Sequence, residues 1–243
     1  MGNSPLVDFT LLSPHRSPRT ALIRKITIHH MAGNATVEGC GRAFQGAREA
    51  SANYGIGGDG RVGLYVPEDC RSWASSSRSN DDQAVTIEVA NCGGAPDWPV
   101  TDKAYDRLVD LCVDVCLRNG IERLAYTGDK AGNLTMHSFF TATVCPGPYL
   151  RARFPEIAAT VNERLEEEAM TAEKLAEMLP EAFALLGRQK AAPWAQEALD
   201  WCREQGYMVG DGTGNQQPMK PLLRQEAAQM IMNIMEKRGQ RRG

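Results

Sequence analysis

The sequence predicts an α/β protein, a mixed central β-sheet flanked by helices and followed by a small helical domain. Three observations carry that expectation. Alternating, β-branched segments such as KITIHH and QAVTIEVA recur through the first two-thirds of the chain. One long amphipathic segment lies among them, which is too little helix for a bundle and too much for a pure sandwich. Beyond Leu165 the strand patterns give way to charged, Ala- and Leu-rich helical ones.

Lys25 to His30 alternates and then meets the breaker-rich MAGN, so it reads as a strand whose terminal histidines reach a loop and a cleft. VEGCGRAFQGAREAS is weakly helical despite its glycines. Tyr54 opens a segment that runs to the Gly57-Gly58-Asp59-Gly60 turn, and Arg61 to Val66 is the returning strand of a hairpin. Gln83 to Ala90 is the clearest strand, with Val85, Ile87 and Val89 on one face and Thr86 and Glu88 on the other. Thr101 is a candidate N-cap for a helix to Asn119, stopped by Gly120. Cys112 and Cys116 share a face of that helix with Leu108 and Val115, where two thiols serve as small core residues more readily than as a metal pair. Leu134 and Thr135 lead into His137, and the following SFFTATV ends at Cys145-Pro146-Gly147-Pro148. Those prolines force a turn before the helix PYLRARFPEIAATVNERL.

These patterns divide the chain into a first domain over 1–165, a helical linker over 166–190 interrupted by Pro180, and a small helical module over 191–243. In that module Trp194 to Gln205 is amphipathic, GDGTGNQQPMKP is a long turn-rich loop, and Leu222 to Glu236 forms the last helix. The GxG of the loop follows a helix and lacks a strand or a Walker lysine, so it is no nucleotide loop.

Composition removes several function classes. The 243 residues are 42% hydrophobic and 23% charged with a net charge of −3, which leaves no electrostatic footprint for nucleic acid. No stretch approaches the apolar length of a membrane span. The first fifteen residues lack both a basic region and an uninterrupted apolar run, so cytoplasmic synthesis without a signal peptide is expected, with action on its target after membrane breach or non-standard export. Seven cysteines without a CxxC pair suit free thiols better than a disulfide framework.

A catalytic zinc takes three protein ligands from His, Cys and Asp/Glu and leaves the fourth position to water. The histidines are His15, His29, His30 and His137, and His15 lies in a Pro/Ser-rich lead-in that reads as surface. His137 and Cys145 alone are weak evidence for a site, since each can be an ordinary core residue. Their combination with a strand-end His-His pair and the polar-face Glu88 is stronger.

Four segments in order, ITIHHMAG, ANYGIGGDGRVGLYV, AVTIEVAN and MHSFFTATVCPGPYL, resemble the zinc N-acetylmuramoyl-L-alanine amidases of bacteriophage endolysins, bacterial autolysins and animal peptidoglycan-recognition proteins. The resemblance spans about Lys25 to Leu165. It implies that His29, His137 and Cys145 hold Zn²⁺, and strand alternation agrees that His29 and His30 point to opposite sides. It further implies Glu88 as general base and Tyr54 as a hydrogen-bond donor beside the metal. Thr143 stands where many members have a lysine that supports the oxyanion. The implied activity is hydrolysis of the amide between N-acetylmuramic acid and L-alanine in peptidoglycan by zinc-activated water. The competing reading is a peptidoglycan-binding protein without catalysis, because one fold serves both. The C-terminal segment resembles a single S-layer homology repeat, which implies contact with cell-wall polysaccharide or homo-oligomerisation.

Overall fold

The computed structural model describes residues 2–207, 221 and 224–240, and the chain divides into two compact units, Met1–Glu168 and Ala169–Gly243. The first unit is a mixed sheet flanked by helices. Its strands are β1 (Phe9–Thr10), β2 (Arg16–Pro18), β3 (Lys25–His30), β4 (Tyr54–Ile56), β5 (Val62–Leu64), β6 (Cys70–Ser72), β7 (Ala84–Val89) and β8 (Leu134–Met136). Its helices are α1 (Val37–Ala43), the single turn α2 (Arg78–Asp81), α3 (Asp102–Asn119) and the start of α4 (Pro148–Gly187). Six strands form the main sheet in the order β1-β5-β4-β7-β3-β8, and β2 pairs with β6 separately. β4, β7, β3 and β8 are mutually parallel, while β4 and β5 form the antiparallel hairpin expected around Gly57–Gly60.

β7, the best-patterned strand, lies at the centre between β4 and β3. Its Val85, Ile87 and Val89 join Ile26 and Ile28 of β3, Tyr54 and Ile56 of β4, Leu108, Leu111 and Val115 of α3, and Leu150, Phe154 and Ile157 of α4 in one buried core. Each such side chain stabilises the fold by about 1.5–3 kcal/mol on burial. Thr101 caps α3 by accepting from the Ala104 amide, and Gly120 ends it in the left-handed conformation at φ 65°. Cys112 and Cys116 are fully buried in this core, as their spacing implied.

The opposite face of the sheet is polar and also buried. Thr27 Oγ1 and Thr135 Oγ1 lie 2.9 Å apart, the Asn80 side chain donates to Thr27 at 2.9 Å, and Ser72 Oγ meets Thr86 Oγ1 at 2.7 Å. Asn53 accepts from the Thr86 amide and donates its own amide to the Thr86 hydroxyl. The β-branched threonines keep strand geometry while their hydroxyls find partners within the layer, so it is buried without orphaned hydroxyls.

Two expectations need correction here. α1 is only Val37–Ala43, capped by Thr36, and its weakly helical continuation through AREAS is not helix; Gly46 and the polar residues around it favour irregular chain. Pro180 does not interrupt the linker, because α4 runs unbroken to Gly187. A proline in a helix interior costs about 3 kcal/mol, but strong helix formers (Ala, Leu, Glu, Met) flank this one. The second unit continues with a short turn at Pro193–Ala195, α5 (Gln196–Glu204) and α6 (Arg224–Gln240). The loop GDGTGNQQPMKP lies outside the described residues apart from its last residue, Pro221. Among the described residues, no helix is long and apolar enough to cross a membrane.

Candidate metal centre

Register builds the site. β3 and β7 run parallel with His29 opposite Glu88, and β3 and β8 run parallel with Ile28 opposite Met136. The residue after each of these two is a histidine, so His29 at the end of β3 and His137 just beyond β8 emerge side by side, with ring centroids 4.7 Å apart. Alternation sends His29 to the polar face with Thr27, Thr86 and Glu88, and sends His30 to the other side. There His30 meets the Trp98 ring edge-on at 5.2 Å.

Cys145 arrives from a turn. The Ser138 amide donates to the Cys145 carbonyl at 3.2 Å, which folds the segment after His137 back on itself. The His30 backbone N–H then donates to Cys145 Sγ at 3.4 Å. As a result, one ligand atom each from His29, His137 and Cys145 lies within 4.8 Å of the other two. Among the described residues, this is the group of His, Cys, Asp or Glu side chains so arranged.

Burial holds the His29 imidazole well below its usual pKa, with His137 and His30 adding to the effect. Burial also lowers His137, with Asp81 opposing. Both rings are therefore neutral near pH 7, the form that ligates a metal. Glu88 Oε1 lies 4.0 Å from His29 Nδ1, and Oε2 is buried without a hydrogen-bond partner. Burial pushes the Glu88 carboxyl up to about 8, Arg48 pulling the other way. Burial raises the Cys145 thiol far above its ordinary range, with Glu88 reinforcing and the His30 amide opposing.

This donor set fits zinc. Each histidine has a buried Nε2 with no partner in the protein, and a thiol is held where only a cation would make its thiolate favourable. Two imidazoles and one thiolate leave an open coordination position, as catalytic zinc requires.

Above the three donors lies a cavity of about 460 Å³. Glu88, His137, Thr143, Cys145, Arg48 and Trp73 are among its walls. Thr143 Oγ1 accepts from the Cys145 amide at 3.2 Å, which leaves its hydroxyl proton free to face the cavity.

Tyr54 does not lie beside the metal position, contrary to the sequence-based expectation. β4 pairs with β7 so that Gly55, and not Tyr54, stands opposite Glu88; Tyr54 stands opposite Ile87 and faces the apolar core. Its hydroxyl donates to Glu68 at 2.6 Å and accepts from the Ser4 amide at 2.9 Å. The tyrosine on the site's own face is Tyr65, whose ring covers Gly55 and Gly63 and whose hydroxyl donates to the Val37 carbonyl. A Cβ on Gly55 would meet that ring at 2.6 Å, so glycine is required there. Sequence reasoning also passed over Arg48, Trp73 and Trp98. Nothing local marks Arg48, which follows a short helix in irregular chain, and the two tryptophans sit in loops without periodicity.

A family profile described as N-acetylmuramoyl-L-alanine amidase matches residues 18–148, a stretch that contains the whole cluster. No curated protein matches the sequence. The solution structure of the PlyG catalytic domain is similar at TM-score 0.52 and 19% identity, over 65% of this chain and 93% of that one. The structure of PlyL is similar at 0.51 and 18%, over 64% and 96%. A mutant endolysin from Bacillus subtilis is similar at 0.50 and 16%, over 64% and 99%. At such identities these structures share the fold of the chain's first part.

Proposed function

The chain belongs to the N-acetylmuramoyl-L-alanine amidase family, and on that premise we propose that it hydrolyses the amide between N-acetylmuramic acid and L-alanine in bacterial peptidoglycan. The observation that carries this reading is the convergence of His29, His137 and Cys145 beneath a cavity whose wall includes Glu88. A family likeness alone leaves recognition without catalysis equally open, whereas an open three-donor site with an adjacent carboxylate is what metal-assisted hydrolysis needs.

His29 and His137 would hold zinc as neutral imidazoles and Cys145 as a thiolate steadied by the His30 amide. Held by this set, zinc would supply the Lewis acidity that such a hydrolysis needs. Glu88 takes the proton from the attacking water at Oε2, the oxygen with no protein partner, and returns it to the leaving amide nitrogen. Thr143 donates its hydroxyl to the carbonyl oxygen as charge develops there. The C-terminal unit, whose sequence resembles an S-layer homology repeat, retains the enzyme on cell-wall polysaccharide, with self-association the competing outcome.

Mass spectrometry of sacculi digested with and without a chelator tests this reading. Stem peptides with a free L-alanine amino terminus should appear, and the chelator should abolish them. Sacculi that are bound and left uncut would instead identify a recognition protein.

A further inference from the structure

Two backbone conformations that most residues avoid meet at one contact beside Cys145. Trp98 has φ 53°, in the left-handed region that a bulky side chain seldom occupies. Gly147 has φ 85°, and a Cβ built on it would lie 2.9 Å from Trp98 Cβ. Conformations of this kind persist where surrounding structure enforces them, and they cluster at functional sites.

Here the enforcing contacts are specific. Asn91 donates its side-chain amide to the Trp98 carbonyl at 2.8 Å, and the Trp98 amide donates to the Gly94 carbonyl at 3.0 Å. The Tyr149 amide donates to the Asp97 carbonyl at 3.1 Å, which ties the same loop to the start of α4. Trp98 thus rests on Gly147, two residues beyond Cys145, while its ring receives the edge of His30, one residue beyond His29. It touches two of the three segments that carry a metal donor, and His30 itself closes the circuit through its amide on Cys145 Sγ. His137 follows directly on β8, and the Ser138 amide ties it to the carbonyl of Cys145.

We infer that Trp98 is a positioning residue for the metal site, a spacer that sets the separation between the strand bearing His29 and the turn bearing Cys145. This rests on the assignment of His29, His137 and Cys145 as the zinc ligands. Trp98 itself is neither a donor of the cluster nor part of the cavity wall. Removal of its ring frees the Cys145 turn to move relative to β3, and the donors then meet a zinc ion with the wrong spacing.

The test is zinc affinity of the full chain, measured by competition with a chromophoric chelator, together with the thiolate-to-cobalt charge-transfer band of the Co²⁺-substituted protein. Trp98→Ala should weaken zinc by about 10- to 100-fold, the usual effect of losing a residue that orients a ligand, and should shift or weaken the band. Trp98→Phe, which still offers a ring to His30, should retain most of the affinity. Trp98→Leu keeps apolar volume without a ring and takes the place of the alanine variant if that fails to fold; it should bind zinc more weakly than Trp98→Phe. Cys145→Ser separates the two levels of the argument. If it binds zinc as the wild type does, the ligand assignment falls and this inference with it. If Cys145→Ser loses zinc while Trp98→Ala and Trp98→Leu keep wild-type affinity and an unchanged band, the spacer role alone is overturned.

Discussion

Glu88 and His29 face each other across two strands at 4.0 Å, a distance that suggests an ion pair, yet burial acts on both in the direction that discharges them. The carboxyl rises to about 8 and the imidazole falls well below its usual value, so near pH 7 neither group gains by transferring a proton to the other. The environment is therefore set for a cation that would favour the ionised carboxylate and thiolate together. Glu88→Gln keeps the shape of the side chain and removes the proton acceptor. It should leave zinc content near one per chain and lower kcat by roughly 10²- to 10⁴-fold, read by metal analysis alongside kinetics on a muramoyl-L-alanine fragment. A zinc-loaded variant with wild-type kcat would remove Glu88 from the mechanism. Cys145→Ser should fail differently, with metal occupancy falling in parallel with activity. Tyr54→Phe distinguishes the geometry from the sequence-based expectation, because the Tyr54 hydroxyl serves Glu68 and Ser4 on the far side of the sheet. Its loss should cost about 1–3 kcal/mol of stability, seen in the denaturation midpoint, with kcat unchanged.

Strands explain why some of this was legible and some was not. The side-chain period of a strand is two, so KITIHH separates His29 from His30, and QAVTIEVA separates Glu88 from its apolar neighbours, without any knowledge of partners. The position of Tyr54 depends on the register between β4 and β7, a non-local quantity that no single segment contains; one residue of offset moves a side chain to the other face. The threonine layer was hidden for the same reason, because Thr27, Thr86 and Thr135 come level in one row, with Thr27 bonded to Thr135 and Thr86 to Ser72 and Asn53, only once β3, β7 and β8 are aligned. That row is one step below the donors, and the pairing of Thr27 with Thr135 is the one that brings His29 level with His137. Thr27→Val therefore makes a sharp test at this scale. Valine fits the strand and the volume, but Asn80 loses an acceptor and Thr135 a partner in a buried layer. The variant should lose about 1–3 kcal/mol of stability and bind zinc more weakly. A variant as stable as the wild type would show that the layer fills space without setting register.

The division of labour across the whole chain follows from where the core ends. Every residue of the buried core cluster lies at or before Leu165, and the donors, Glu88 and the cavity lie within the same unit. The described side chains of the second unit are largely exposed, including Leu175, Met178, Leu185, Trp194 and Trp201, and none contributes to that core. The core and the candidate site are thus built from residues of the first unit. α4 crosses the boundary between the units at Glu168, so a truncation belongs beyond the helix, after Gly187, where no core residue is cut and the helix keeps its own hydrogen bonds. A chain ending there should retain zinc stoichiometry, its denaturation midpoint and full turnover of a small soluble muropeptide. Activity on intact walls should fall, because retention on an insoluble substrate raises the effective concentration of enzyme at its target, and loss of a second contact removes that gain without touching kcat. Sedimentation of the two forms tells wall retention from self-association, since only the latter lowers the mass of the particle by more than the deleted residues. A folded, zinc-loaded truncation that no longer turns over the soluble fragment would place part of the active site in the second unit and contradict the boundary drawn here.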